Sequence, residues 1–187
     1  LRPEGLAFGP DVATSSRATL GGMIANNSSG AHTPLYGTTA DHLIELQIVL
    51  GDGQILKIGP GHSALPRQRE LLEDMAMLNA LQISERFPAG LLKRWPGYAL
   101  DRIAREPANL INALAGSEGT LAAITSAIVK LVPTPDEIGM GLLFFDAIPE
   151  AMQAAMELRE LNPGAVEFLD RILLDQTRGQ HEFQGVR

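Results

Sequence analysis

Apolar and polar residues alternate between Leu43 and Leu50, and this period of two predicts a β-strand. Glu45 and Gln47 fall on one face of that strand, and the other face carries Ile44, Leu46 and Ile48. A Gly-Asp-Gly turn and a second apolar run, Gln54 to Ile58, follow directly and predict a returning strand. The pattern therefore predicts a β-hairpin, interpreted as a structural unit without chemistry.

Helical spacing follows the hairpin. Pro66 to Ile83 predicts one helix, with a core-facing stripe made of Leu71, Leu72, Met75, Leu78 and Leu81. Ala108 to Ala115 predicts a short helix with Gly116 as its C-cap. The run from Ala122 to Val132 is apolar on both faces, which is typical of a central strand.

The pattern starts again after Pro135. We expect a strand at Gly141–Phe145 and helices at Glu150–Leu161 and Val166–Thr177. One strand and two helices cannot enclose a core of their own.

We predict an α+β fold. Its first domain, residues 1–135, is predicted to be a mainly antiparallel sheet flanked by helices. Residues 136–187 are predicted to begin a second domain that is cut short.

Composition narrows the function classes. A formal charge of −7 argues against a nucleic-acid partner or an anionic membrane surface. The absence of Cys excludes disulfides, thiolate metal sites and an iron–sulfur cluster within this chain. No apolar run is long enough to span a bilayer, and no signal peptide is visible. We expect a cytoplasmic protein, and the start at Leu1 suggests a clipped product or a fragment.

The segment from Gly9 to Gly30 is dense in glycines and hydroxyls, and Asp11 and Arg17 are its only charges. Glycine permits positive φ angles that aim successive N–H groups at one point, and a helix start behind such a turn favours an anion. The segment therefore predicts a phosphate site made mostly of backbone. A glycine- and serine-rich surface loop is the simpler alternative, since neither a dinucleotide fingerprint nor a Walker loop is present.

Two later segments carry further candidate chemistry. The Gly116–Leu121 stretch, GSEGTL, places the Glu118 carboxylate between two glycines. This carboxylate could accept hydrogen bonds from a ribose. The alternative is that the stretch is an ordinary helix C-cap followed by a turn. Lys93, Arg94 and Tyr98 could hold a substrate carboxylate or the flavin N1–O2 edge, unless they form only a solvated loop. We predict no metal site because no His stands at ligand spacing, and the catalytic residues stay unassigned.

Four quoted stretches together resemble a known family. The series ATLGGMIANNSSG, LYGTTADHLIELQIVLGDGQIL, KRWPGYAL and GSEGTLAAITSAIVKLVPTP closely resembles the FAD-linked oxidases of the vanillyl-alcohol oxidase and p-cresol methylhydroxylase type. Within that family it is similar to the D-lactate dehydrogenase and glycolate oxidase flavoprotein branch. The match runs from about Pro10 to Pro135, and residues 139–170 are similar to the start of the family's substrate (cap) domain.

The resemblance implies non-covalently bound FAD lying between two lobes, of which this chain is the second. It implies that the following residues contact FAD: Pro10, Thr14, Ser15, Ser16, Thr19, Gly21, Gly22, Asn26, Asn27, Ser28, Ser29, Gly30, Gly37, Glu118, Gly119 and Ile124. It implies oxidation of a small 2-hydroxy acid by hydride transfer to flavin N5, followed by reoxidation by an electron acceptor that the sequence does not identify.

Parts of the family pattern are absent. The first lobe and most of the cap, with its metal-holding histidines and acid, have no counterpart here, and Pro96 stands where the family usually carries Ser, Thr or Asn. We therefore expect weak or no FAD binding and no turnover from the isolated chain. Two alternatives stay open. The chain could be a non-catalytic subunit whose partner supplies the first lobe, and exposed apolar surface would then favour homo-oligomerisation. It could also be a nucleotide-binding module unrelated to flavins, but such a module would need a Lys near the glycines.

Overall fold

The computed structural model describes residues 1–88, 90 and 97–177, and it divides the chain into two compact units, Leu1–Asp136 and Glu137–Arg187. The strands are β1 (Leu6–Ala7), β2 (Leu43–Val49), β3 (Ile55–Ile58), β4 (Ala123–Val129) and β5 (Val132–Pro133). The helices of the first unit are α1 (Leu20–Ala25), α2 (Thr33–Tyr36), α3 (Pro66–Leu78), α4 (Ala80–Arg86), α5 (Leu100–Arg105) and α6 (Ile111–Leu114). The second unit contains α7 (Ile148–Arg159) and α8 (Arg171–Thr177).

The predicted hairpin is confirmed. Strands β2 and β3 pair antiparallel, with Leu46 opposite Ile58 and Val49 opposite Ile55. Gly53, at φ +86°, closes the turn, and its N–H donates to the Leu50 carbonyl over 2.9 Å. β4 pairs antiparallel with β2 on its other side, and β1 pairs antiparallel with β5. The predicted α+β fold with antiparallel sheet and helices is therefore confirmed.

The hydrophobic core lies where one face of this sheet meets α1 and α6. Its buried members are Ile24, Leu46, Ile48, Ile58, Leu110, Ile111, Leu114 and Ala122. Leu46 and Ile48 are completely buried, as the alternation predicts, whereas Ile44 on the same predicted face is 43% exposed. Since burial of an aliphatic side chain stabilises a fold by about 1.5–3 kcal/mol, this cluster fixes α1 and the end of α6 on the hairpin.

The prediction of a single helix from Pro66 to Ile83 is wrong. The helix ends at Leu78 and a new one begins at Ala80, with Asn79 between them donating its side-chain amide to the Met75 carbonyl over 2.8 Å. The predicted core stripe is wrong as well, because three of its members, Leu71, Leu78 and Leu81, are 57%, 80% and 80% exposed. The buried residue of the first helix is Ala76, and that of the second helix is Ile83.

Three further expectations need correction. β4 lies at an edge of the described sheet rather than in its centre, because within the described residues it pairs with β2 alone. The predicted helix at Ala108–Ala115 is shorter, and its C-cap is Ala115 rather than Gly116. The predicted strand at 141–145 is absent, since this exposed run has no described strand to supply hydrogen-bond partners.

The second unit shows helices at both predicted places. α7 begins at Ile148, slightly before the predicted Glu150, and Pro149 lies in its first turn. α8 begins at Arg171, later than the predicted Val166. None of the helices in the described part of the chain is long and apolar enough to cross a membrane.

Asp41 holds the turn between α2 and β2. Its Oδ2 accepts the Thr38 N–H over 2.7 Å and the Thr38 hydroxyl over 2.9 Å, and its Oδ1 lies 2.7 Å from Nη2 of Arg102 in α5. Partial burial alone would raise the pKa of Asp41. The hydrogen bonds from Thr38 and the adjacent Arg102 charge outweigh burial and hold that pKa below its usual value.

We expect Asp41→Asn to lower the free energy of unfolding by roughly 1–2 kcal/mol at pH 7, because it removes a capping acceptor and a partly exposed ion pair. A depressed folded-state pKa stabilises the fold above the unfolded value of about 3.9 and loses that contribution as pH falls through the folded value. The difference from wild type, measured by urea unfolding, should therefore shrink below about pH 4. Asp74→Asn on exposed α3 is the control, and an Asp41→Asn deficit that does not change with pH would contradict this account.

Candidate functional site

The glycine-rich segment forms the start of α1 rather than a positive-φ turn. Thr19 is the N-cap of α1, and its Oγ1 accepts the Gly22 N–H over 3.2 Å. Gly21 and Gly22 lie in the first helical turn with helical backbone angles, so the expected positive φ at these glycines is wrong. Both glycines are exposed, and the N–H groups of a first helical turn have no intrahelical acceptor. The segment therefore presents bare amides to solvent at the start of a helix, whereas the prediction was a turn with positive φ angles.

The positive φ angle stands at the other end of α1. Asn27 adopts φ 47° and turns the chain, while its side-chain oxygen accepts the Ala40 N–H over 2.8 Å. The Ser28 carbonyl accepts both the N–H and the hydroxyl of buried Thr39, over 3.0 and 2.7 Å. Asn27 and Ser28 therefore attach the end of α1 to the turn before β2.

The GSEGTL turn contains a run of left-handed residues. Gly116, Glu118 and Gly119 have φ angles of 84°, 51° and 77°. For Glu118 this conformation costs about 1–2 kcal/mol, and its side chain is nevertheless exposed. Strain of this kind persists only where the surroundings impose it, and it concentrates at ligand sites.

Two hydrogen bonds impose that conformation and join the turn to α1. The Gly116 N–H donates to the Ile24 carbonyl over 3.0 Å, and the Glu118 N–H donates to the Ala25 carbonyl over 2.9 Å. A Cβ on Gly116 would come within 2.7 Å of the Gly97 carbonyl oxygen, so a side chain at this position has no room. The structure thus brings the first two predicted segments together on one surface, formed by residues 19–27 and 116–120, which we name the cradle.

Comparison with known proteins finds a matching family for the first part of the chain. Residues 1–59 match the model of a family described as an FAD binding domain. The resemblance to the FAD-linked oxidases is confirmed. FAD is accordingly the cofactor that the matched family indicates, and that match gives no indication of covalent attachment.

Curated proteins that are similar to this chain have oxidoreductase names. D-2-hydroxyglutarate dehydrogenase of Pantoea ananatis is 32% identical over 201 residues, covering 100% of this chain and 20% of the relative. Glycolate oxidase subunit GlcD of Bacillus subtilis is 31% identical, over 90% of this chain and 28% of the relative. D-lactate dehydrogenase of Archaeoglobus fulgidus is 29% identical, over 90% of this chain and 29% of the relative. The chain therefore spans between a fifth and a third of the length of these relatives.

Gly30, which is predicted to contact FAD, packs against the backbone of Asp11, the residue that follows the other predicted contact, Pro10. Pro10 is buried, and a Cβ on Gly30 would lie only 1.2 Å from the Asp11 carbonyl oxygen. Near them, Nδ1 of His32 lies 3.3 Å from the Asp11 carboxylate. The two ends of the glycine-rich segment therefore meet, and Gly30 is required by close packing of the two backbones.

The remaining predicted contacts divide into exposed and structural positions. Exposed positions are Thr14, Ser15, Ser16 and Asn26, and Ser29 is partly buried. Gly37 has φ +78°, and a Cβ there would lie 2.6 Å from Oδ2 of Asp41, so its backbone belongs to the capped turn. Ile124 pairs with Ile48 in the sheet and packs against the core. Lys93 and Arg94 lie outside the described residues.

Sequence reasoning missed the contacts of two polar residues, Thr120 in the cradle and His42 outside it. The Tyr98 hydroxyl lies 2.5 Å from Oγ1 of Thr120, which the motif analysis passed over. Buried His42 has its two ring nitrogens 3.1 and 2.8 Å from the carbonyl oxygens of Lys130 and Tyr36. The separation of 22 residues between Tyr98 and Thr120 gives no periodic signal, so only the fold reveals that pair.

We expect Gly30→Ala and Gly21→Ala to have opposite effects on stability. The first inserts a methyl group into backbone and should lower the free energy of unfolding by about 3 kcal/mol or more. The second meets open space in a helix and should raise it by roughly 0.5–1 kcal/mol. Urea unfolding followed by circular dichroism measures both, and a Gly30→Ala protein as stable as wild type would show that Asp11 does not pack on Gly30.

Proposed function

We propose that residues 1–135 are the second lobe of a p-cresol methylhydroxylase-type FAD-binding domain and that residues 136–187 begin its substrate cap. The parent protein oxidises a small 2-hydroxy acid and passes a hydride to flavin N5. The names of the relatives support this substrate class, since they refer to 2-hydroxyglutarate, glycolate and lactate. Bound FAD supplies the redox chemistry, and the residues of this chain supply binding and orientation.

The observation that carries the proposal is the pair of hydrogen bonds between α1 and the GSEGTL turn. They place two segments that lie about 90 residues apart in the sequence on one continuous surface. That surface exposes peptide N–H groups and glycines without a cluster of charged side chains, which suits an anion bound by backbone amides.

Groups in the cradle and in the turn that precedes it have separate parts in binding. The first-turn amides of Leu20 and Gly21 donate to a diphosphate oxygen, and the exposed hydroxyls of Thr14, Ser15 and Ser16 add further donors. Exposed Arg17 contributes a nearby positive charge. Asn26 in the first cradle segment and Gly119 in the second are further predicted contacts on the same surface.

A second candidate function follows from the open edge of β4. Ile128 in β4 and Leu121 just before it are 52% and 46% exposed, and the described sheet places no strand beyond β4. An exposed apolar edge favours association with another chain. The alternative is therefore a non-catalytic subunit whose partner supplies the first lobe and completes the FAD site.

Expression of the chain alone and of the full reading frame that contains it tests the proposal. The full protein should purify yellow, and D-2-hydroxyglutarate, D-lactate or glycolate should bleach its flavin absorbance. The chain alone should bind FAD weakly or not at all, because about half of the site is missing. A full protein that binds FAD but is reduced by none of these acids overturns the substrate class, and one that binds no FAD overturns the cofactor assignment. Flavin that appears only after a separate partner chain is added favours the subunit.

Gly21→Ala tests whether the bare amides of α1 contact the cofactor. In the full protein the added methyl group should weaken FAD binding roughly tenfold, because it crowds the donating amide without harming the helix. Gly51→Ala is the matched control, since its methyl group also meets open space but lies in the β2–β3 turn, outside the residues of the cradle. Flavin fluorescence titration measures both, and equal FAD affinity for the two variants would contradict contact at Gly21.

A further inference from the structure

Tyr98 and Thr120 form a hydroxyl pair at the rim of the cradle. The two oxygens lie 2.5 Å apart, and Tyr98 remains 43% exposed. Thr120 Oγ1 also lies 2.6 Å from the Ser117 carbonyl oxygen, to which it donates.

The direction of this chain of hydrogen bonds follows from proton counting. A threonine hydroxyl has one hydrogen, and a carbonyl oxygen can only accept. Because Thr120 gives its hydrogen to Ser117, Tyr98 must be the donor in the Tyr98–Thr120 bond. The hydrogen of Tyr98 is thus already used, and its oxygen keeps free lone pairs on an exposed side chain.

The position of Tyr98 points to the ligand. Gly97, its neighbour, has its carbonyl against Gly116, and Gly116 is bonded to α1. A Cβ built on Gly116 would also lie 3.5 Å from the Cβ of Asn27. Tyr98 therefore lies beside the junction of both cradle segments, and the lone pairs of its oxygen lie next to the proposed cofactor site.

We propose that Tyr98 is a binding residue that accepts a hydrogen bond from an O–H or N–H group of the bound ligand, and that Thr120 is a positioning residue that fixes this polarity. The inference rests on the proposed function. Two sources supply such a donor: the flavin nucleotide, through its ribityl hydroxyls or ring N–H, and the 2-hydroxy acid, through its hydroxyl. A phenol held as an acceptor selects ligands that carry a donor at this point over those that carry only acceptors.

Three variants in the full flavoprotein test the proposal: Tyr98→Phe, Thr120→Val and Thr120→Ser. Tyr98→Phe removes the acceptor and should raise either the dissociation constant for FAD or the KM for the substrate roughly three- to tenfold. Thr120→Val leaves the Tyr98 hydrogen without its acceptor, so it should shift the same quantity in the same direction. Thr120→Ser retains the hydroxyl and should behave like wild type.

The two measurements separate the donors and the possible failures. A changed FAD dissociation constant assigns the donor to the flavin, and a changed KM at saturating FAD assigns it to the substrate. Unfolding of the apoprotein should be nearly unchanged in Tyr98→Phe, whereas a purely structural clamp would change unfolding and leave both affinities intact, which overturns the proposal. If the wild-type protein binds no FAD, the proposed function and this inference are both overturned. If the wild-type protein binds FAD and Tyr98→Phe changes neither the FAD dissociation constant nor the KM, the role of Tyr98 alone is overturned.

Discussion

Two backbone hydrogen bonds, from Gly116 to Ile24 and from Glu118 to Ala25, are the constraint on which the site depends. Both carbonyls lie at the C-terminal end of α1, where a helix leaves its last carbonyls without intrahelical donors. The Ile24 carbonyl also accepts the Asn27 N–H over 3.1 Å, so the turn adds a second donor there, and at the Ala25 carbonyl it supplies the Glu118 N–H. The turn has left-handed angles at both donating residues, Gly116 and Glu118. The end of the helix and the strained turn therefore stabilise each other, while the start of the helix stays exposed at Leu20 and Gly21.

The junction between α1 and the GSEGTL turn is anchored in the hydrophobic core. Ile24 in α1 and Leu114 in α6 belong to the same buried cluster as Leu46 and Ile48 of the hairpin. The cradle is therefore built on the best-packed part of the described chain, whereas the exposed hydroxyls beside it lie in a turn. A rigid base with polar groups on adjoining loops is the usual arrangement of a binding site.

Sequence patterns predicted the local elements well and the long-range ones poorly. The hairpin followed from alternation and a Gly-Asp-Gly turn, both of which are local signals. The stripe that contains Leu78 looked like a core face because periodicity does not show that Asn79 interrupts the helix. The predicted importance of Gly21 and Glu118 came from motif chemistry, but that they share one surface, or that Tyr98 meets Thr120, depends on how distant segments pack.

Hydrogen–deuterium exchange on the full protein, with and without FAD, tests the central claim most directly. If α1 and the GSEGTL turn form one cofactor surface, the amides of residues 19–27 and 116–120 should gain protection together when FAD binds, while the β2–β3 turn stays unchanged. Protection that appears in only one of the two segments, or in neither while FAD is bound, would contradict the account.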